Sequence, residues 1–176
     1  MKNKYDVIII GVGPGGIFSA YELVEKRPEL KVVVFEAGRA LEKRKCPIDG
    51  EKIKSCIHCK SCSIMSGFGG AGAFSDGKYN ITNDFGGTLY EHVGRRQALD
   101  LMRYVDDINM RYGGEGTKLY STAGTKFKEI CIQNSPLMTA TATERVLPIC
   151  RICWAVVSSC SVSAICSETA EVQSTG

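Results

Sequence analysis

The 176 residues are 44% hydrophobic and 23% charged, a composition that excludes wholesale disorder and suits an ordered globular chain. No run of about 18 apolar residues is present to cross a bilayer, and a net charge of +3 is too small to call for a nucleic-acid or membrane partner. Nine cysteines, in a chain whose N-terminal apolar stretch runs into glycines rather than a cleavage site, read as reduced thiols, metal ligands or redox groups in a cytoplasmic protein.

Residues 5–10, YDVIII, are mostly β-branched and stop at Gly11, the pattern of a strand buried on both faces. Over residues 14–27 the apolar positions Ile17, Ala20, Tyr21 and Val24 recur at helical spacing, and Lys26, Arg27 and Pro28 suit a helix C-terminus. A second strand is expected at 31–36, KVVVFE, which completes a βαβ unit over residues 5–36. Residues 39–65 read as an ordered, cysteine-rich loop; its first part, 39–60, holds seven Lys or Arg against three Asp or Glu. Residues 66–77, SGFGGAGAFSDG, are too rich in glycine for helix or strand and form a second phosphate-loop candidate. A helix is expected from about 88 to 112. Thr88 and Glu91 stand at capping-box spacing, and Leu89, Val93, Leu101, Val105 and Ile108 supply its apolar face. His92 falls on the exposed side of that pattern.

Eighteen of the nineteen glycines lie within residues 1–131. Residues 132–176 carry five charges, twelve Ser or Thr and four Cys, with little periodicity. A boundary is therefore expected near Cys131, with an atypical tail beyond it. The fold class expected is α/β: a partial Rossmann-like domain with a Cys- and Gly-rich loop segment and a helical segment.

Gly11-Val12-Gly13-Pro14-Gly15-Gly16 matches G-x-G-x-x-G with a strand before it and a helix after it. The first glycine allows the tight turn, the second lets the backbone approach a pyrophosphate, and the third lets helix and strand pack closely. Pro14 opens the helix, whose N-terminus directs amides and a positive dipole end at the phosphates. Glu36 ends the second strand twenty residues after Gly16, placed to accept hydrogen bonds from ribose hydroxyls and to repel a 2′-phosphate. These features together point to an adenine dinucleotide.

YDVIIIGVGPGG followed by VVVFEAGR resembles the N-terminus of FAD-dependent oxidoreductases of the glutathione-reductase-like class. KRKCPI at 43–48, the cysteine run and SIMSGFGGAGAFSDGK at 63–78 more narrowly resemble a bacterial family of FAD-dependent dehydrogenases, over roughly residues 4–120. The resemblance implies FAD held by Gly11, Gly13, Pro14, Gly15, Gly16, Glu36 and Arg39. It also implies that Gly67, Gly69, Gly70 and Gly72 bring a second backbone loop up to the cofactor. A small-molecule redox substrate and NAD(P)H as electron donor are implied for the complete protein. Members of the class are several hundred residues long, and the resemblance fades after Lys128. The expectation is thus a chain truncated or frame-shifted near residues 128–135, a short natural variant with its own C-terminal extension being the alternative, with an inactive fragment as one alternative function.

Cys56, Cys59 and Cys62 stand at C-x2-C-x2-C, with Cys46 ten residues upstream. That spacing lets thiolates converge on zinc or an iron–sulfur cluster. A thiol or disulfide group exchanging electrons with the flavin, and simple free thiols, are the competing readings. Lys45, Lys54 and Lys60 place positive charge beside these thiols, and His58 is a weaker ligand candidate. A metal- or cluster-binding module is therefore the alternative to the flavoprotein. Cys150 and Cys153 form a second pair of little weight, and no residue stands out as a catalytic acid or base.

Overall fold

The computed structural model describes residues 4–84, 86–121, 123–126, 129–130 and 133, with the backbone of 143–146 and 163–166. The chain divides into two compact units, residues 1–75 with 149–176, and residues 76–148. Most of the expected tail, the Cys150–Cys153 pair and the expected break at 128–135 lie largely outside the described residues.

The first unit is built on the expected βαβ. Strand β1 (Val7–Ile10), helix α1 (Pro14–Lys26) and strand β2 (Val32–Glu36) follow in that order. β1 and β2 are parallel, with Val7 opposite Val32 and Ile10 opposite Phe35. A strand from the tail, Ser163–Cys166, is parallel to β2 on its other side. Asp6 ties the start of the pair, accepting from the Lys31 amide at 2.8 Å. α1 begins on Gly13 with Pro14 in its first turn, where the missing N–H costs nothing. Ile17, Ala20 and Tyr21 are buried on the face the sequence spacing selects. Burying side chains the size of Ile and Tyr stabilises the contact by about 1.5–3 kcal/mol each.

The expectation that β1 is buried on both faces is overturned. Its burial alternates, and Ile8 and Ile10 are 61% and 89% exposed. β2 is different, because Val32, Val33 and Val34 are all buried. An apolar run shows that a strand can be covered on both sides. Whether it is covered depends on which elements lie against it, and among the described residues β1 pairs with one neighbour only.

The second unit holds strands β3 (Lys78–Asn80), β4 (Leu119–Ser121) and β5 (Thr143–Val146), antiparallel with β5 in the middle. It also holds helices α2 (Leu89–Val93) and α3 (Arg95–Asn109). The single helix expected over about 88–112 is therefore divided. Gly94, at φ +84° and ψ 152°, leaves the helical region, which glycine does at little steric cost. The capping box does not form either, since Thr88 makes no side-chain cap and Glu91 donates its amide to the Thr88 carbonyl at 2.9 Å. With the break at Gly94, α3 buries Ala98, Asp106, Ile108 and Asn109, while Leu89 and Leu101 are exposed. Met110–Gly114 close the segment in a wider turn, kinked at Tyr112 and Gly113. His92 is exposed, as its position in the pattern suggests.

Candidate functional site

The first glycine loop leaves β1 at Gly11, φ +99°, and its amide continues the sheet by donating to Phe35 at 2.6 Å. At Gly16 a Cβ would collide with the Gly11 carbonyl, so the third glycine of the fingerprint is required by the approach of α1 to its own entry turn. Helix geometry leaves the first amides of α1 without intrahelical acceptors; Pro14 has none, and Gly15 and Gly16 follow it. They open at the C-terminal end of the parallel strands, where open α/β sheets take their ligands.

Glu36 lies at that same end. Oε2 accepts from the Val12 amide at 2.7 Å and Oε1 from the Gly38 amide at 2.9 Å. The carboxylate thus locks the first loop to the turn after β2. Each oxygen retains a further lone-pair direction, which leaves room for ribose hydroxyls.

The segment 66–74 lies directly on the first loop. Gly69 donates its amide to the Val12 carbonyl at 2.8 Å, and a Cβ on Gly70 would stand 3.2 Å from the Gly13 Cα. Gly67, Gly69 and Gly70 take φ values of +127°, +83° and +60°, conformations that side-chain-bearing residues rarely adopt. The Phe68 amide donates to Arg39 at 3.1 Å, and Gly38 backs closely onto Gly67. The Gly69 and Gly70 amides are therefore used within the loops, the second donating to Gly67 at 2.9 Å. Gly72 sits in a single 3-10 turn, Ala71–Phe74, a local helical feature in a stretch whose glycine content argued against one.

Arg44 holds this segment, and sequence reasoning missed it. It is 3% exposed. Its Nε donates to Ser63 at 2.9 Å, Nη2 to Ile64 at 2.7 Å, and Nη1 to Phe68 at 2.6 Å and Gly70 at 2.8 Å. All four acceptors are backbone carbonyls, and the Arg44 Cζ lies 4.8 Å from the Phe74 ring centroid. Within a run of seven basic residues nothing marks this one as interior. Its planar fork is what lets one side chain collect carbonyls from both ends of a loop.

Two cavities flank the loops in this unit. A cleft of about 870 Å³ begins at Ala37 and Gly38, just beyond β2, and carries the cations Arg39, Lys45 and Lys60 with Ser61, Ser63 and Ser66. The charge and hydroxyls suit a phosphorylated, hydroxyl-bearing ligand. A second cavity, of about 310 Å³, is lined by Cys46, Cys56, Cys59 and Cys62 together with Pro47, Ile48, Ile57 and His58. Cys59 borders both.

Between Cys46 and the other three cysteines the chain turns at Asp49. Its Oδ1 accepts from the amides of Glu51, Lys52 and Ile53 at 2.9, 2.8 and 2.8 Å, which folds residues 49–53 back on themselves. The Ile53, Glu51 and Lys52 amides hold its carboxyl below the usual carboxylate range. All four cysteines are free; three are exposed and Cys62 is half-buried. Among the described residues, no three His, Cys, Asp or Glu side chains converge on one point as a preformed ion site. No described helix is long and apolar enough to cross a membrane.

No family model matches the chain. It is 38% identical over 71 residues to an uncharacterised protein of Clostridium beijerinckii, covering 40% of this chain and 13% of that protein. It is 54% identical over 35 residues to thiamine thiazole synthase of Phaeosphaeria nodorum, covering 20% of this chain and 11% of that protein. The matches thus span only a small part of the length of these relatives.

Proposed function

We propose that the first unit binds FAD and that the chain belongs to the working part of an FAD-dependent oxidoreductase. The observation that carries this reading is the seating of the second glycine loop on the first, with Gly69 hydrogen-bonded to Val12 and Gly70 against Gly13. Two backbone loops meeting at the N-terminus of α1 make a surface on which side chains do not obstruct a pyrophosphate. Glu36 stands where the adenosine ribose follows, and its charge disfavours a 2′-phosphate. Arg39, Lys45 and Lys60 supply positive charge in the adjoining cleft. FAD rather than NAD follows from the resemblance of residues 5–39 and 63–78 to flavoproteins. The bound flavin would supply the hydride or electron transfer, while the residues here bind and orient it. A small-molecule redox substrate and NAD(P)H as donor extend the reading to the complete protein. The 35-residue match to a thiamine thiazole synthase is too short to carry an activity across.

The test is a titration of the purified chain with FAD, followed by flavin fluorescence, beside NAD and NADP. Saturable binding of FAD that Glu36→Arg abolishes supports the reading. An unchanged FAD signal up to about 1 mM, the weak end of specific affinities, sinks it. Equal affinity in the Glu36→Arg variant removes the ribose assignment.

A further inference from the structure

We propose that Cys46, Cys56, Cys59 and Cys62 are the ligands of a [4Fe–4S] cluster in the 310 Å³ cavity they line. The inference is independent of flavin binding. Four cysteines from separate points of one loop line a single cavity, and the Asp49 turn folds back the chain between Cys46 and Cys56. His58 takes a left-handed conformation, φ +51°, between two of them, and its amide lies 3.4 Å from the Cys56 sulfur. A non-glycine residue in that conformation lets the chain reverse tightly between Cys56 and Cys59.

The choice of cluster over a single ion rests on geometry and on the sequence around the thiols. Four thiolates about 2.3 Å from one zinc ion stand about 3.8 Å from each other, with no void between them. Here Cys46, Cys56, Cys59 and Cys62 line one cavity of about 310 Å³. A cubane, with one iron for each thiolate, fills such a space. C-x2-C-x2-C joined by a remote Cys-Pro, here Cys46-Pro47, is the ligand pattern of bacterial ferredoxin clusters. Pro47, Ile48 and Ile57 supply the apolar shell that shields a cluster from water. Two ferric ions, two ferrous ions and four sulfides make a core of charge +2, and four thiolates bring the site to −2. Lys45 and Lys60, on the neighbouring cleft, offset that charge.

The experiment is anaerobic reconstitution of the full chain with iron and sulfide, and in parallel with zinc alone. About four iron and four acid-labile sulfide per chain, with a broad visible absorption bleached by dithionite, are expected. Alkylation of the native protein, quenched before unfolding and peptide mapping, should then find Cys46, Cys56, Cys59 and Cys62 protected in loaded protein and modified after chelation. This readout uses the unaltered chain, so a variant that fails to fold does not decide the matter. Cys56→Ser and Cys59→Ser should each lower bound iron at least tenfold. The Glu36→Arg protein should load the cluster fully even when it binds no FAD, which separates failure here from failure of the flavin reading. Stoichiometric zinc with no retained iron or sulfide overturns the proposal, as does iron held with these four cysteines still open to alkylation.

Discussion

Replacing Arg44 with methionine keeps an apolar stem in the interior and removes the guanidinium that four backbone carbonyls share. A hydrogen bond from a charged donor is worth about 1.5–3 kcal/mol, so the four represent about 6–12 kcal/mol if nothing rearranges. The loop will rearrange. Residues 63–70 can open to water and re-solvate their carbonyls, which limits the net loss to about 3–5 kcal/mol, the upper range for single substitutions. Such a loss raises the population of the open loop by about a hundred- to several-thousand-fold. Hydrogen exchange reads this directly, because the Phe68, Gly69 and Gly70 amides are bonded to Arg39, Val12 and Gly67 in the closed form. Their exchange should accelerate by that factor while amides within β2 change little. Arg44→Lys should recover only a small part, since an ammonium cannot present a planar fork to four carbonyls. Unchanged protection at Phe68 and Gly69 in Arg44→Met would refute the claim that this residue holds the second loop.

Four further outcomes are expected. Glu36→Gln keeps an acceptor for one of the two amides but loses the charge, and FAD affinity measured by titration should fall about tenfold or more. Gly16→Ala drives a methyl group into the Gly11 carbonyl, and a loss of about 1–3 kcal/mol in denaturant unfolding is expected, with FAD binding impaired in parallel. Burial, and next the negative charge of Asp106, push the Tyr79 hydroxyl up from 10.0 to about 12. The folded state therefore favours neutral tyrosine: the contribution is fully present below pH 10.0 and is lost as pH climbs toward about 12. Thermal melts across that range should show the decline, and Tyr79→Phe should flatten it. Gly94→Ala forces a side chain into φ +84° and should destabilise the junction of α2 and α3 by about 1 kcal/mol, seen as faster amide exchange there.

The βαβ unit and its fingerprint were legible in the sequence because each depends on local physics. β-branched runs favour strands, a 3.6-residue apolar spacing selects the buried face of α1, and the turn from β1 into α1 tolerates only glycine at Gly16. The observed bounds of β1, α1 and β2 fall within one or two residues of the expected ones. The division of the expected 88–112 helix was not legible, since Gly94 alone tells little about whether a glycine sits inside a helix or breaks it.

The sequence by itself determined which residues could meet a dinucleotide and which thiols could share a ligand. Only the tertiary structure decided that Gly69 and Gly70 lie on Val12 and Gly13, that Cys46 faces the same cavity as Cys56, Cys59 and Cys62, and that β1 is left exposed at Ile8 and Ile10. The physical reason is one of range. Strand and helix patterns are written over neighbouring residues, whereas the placement of the second loop depends on a buried arginine reaching 19 to 26 residues along the chain to carbonyls that every residue carries alike. Backbone carbonyls have no signature in a sequence, so their partner can be recognised only where the chain has folded around it.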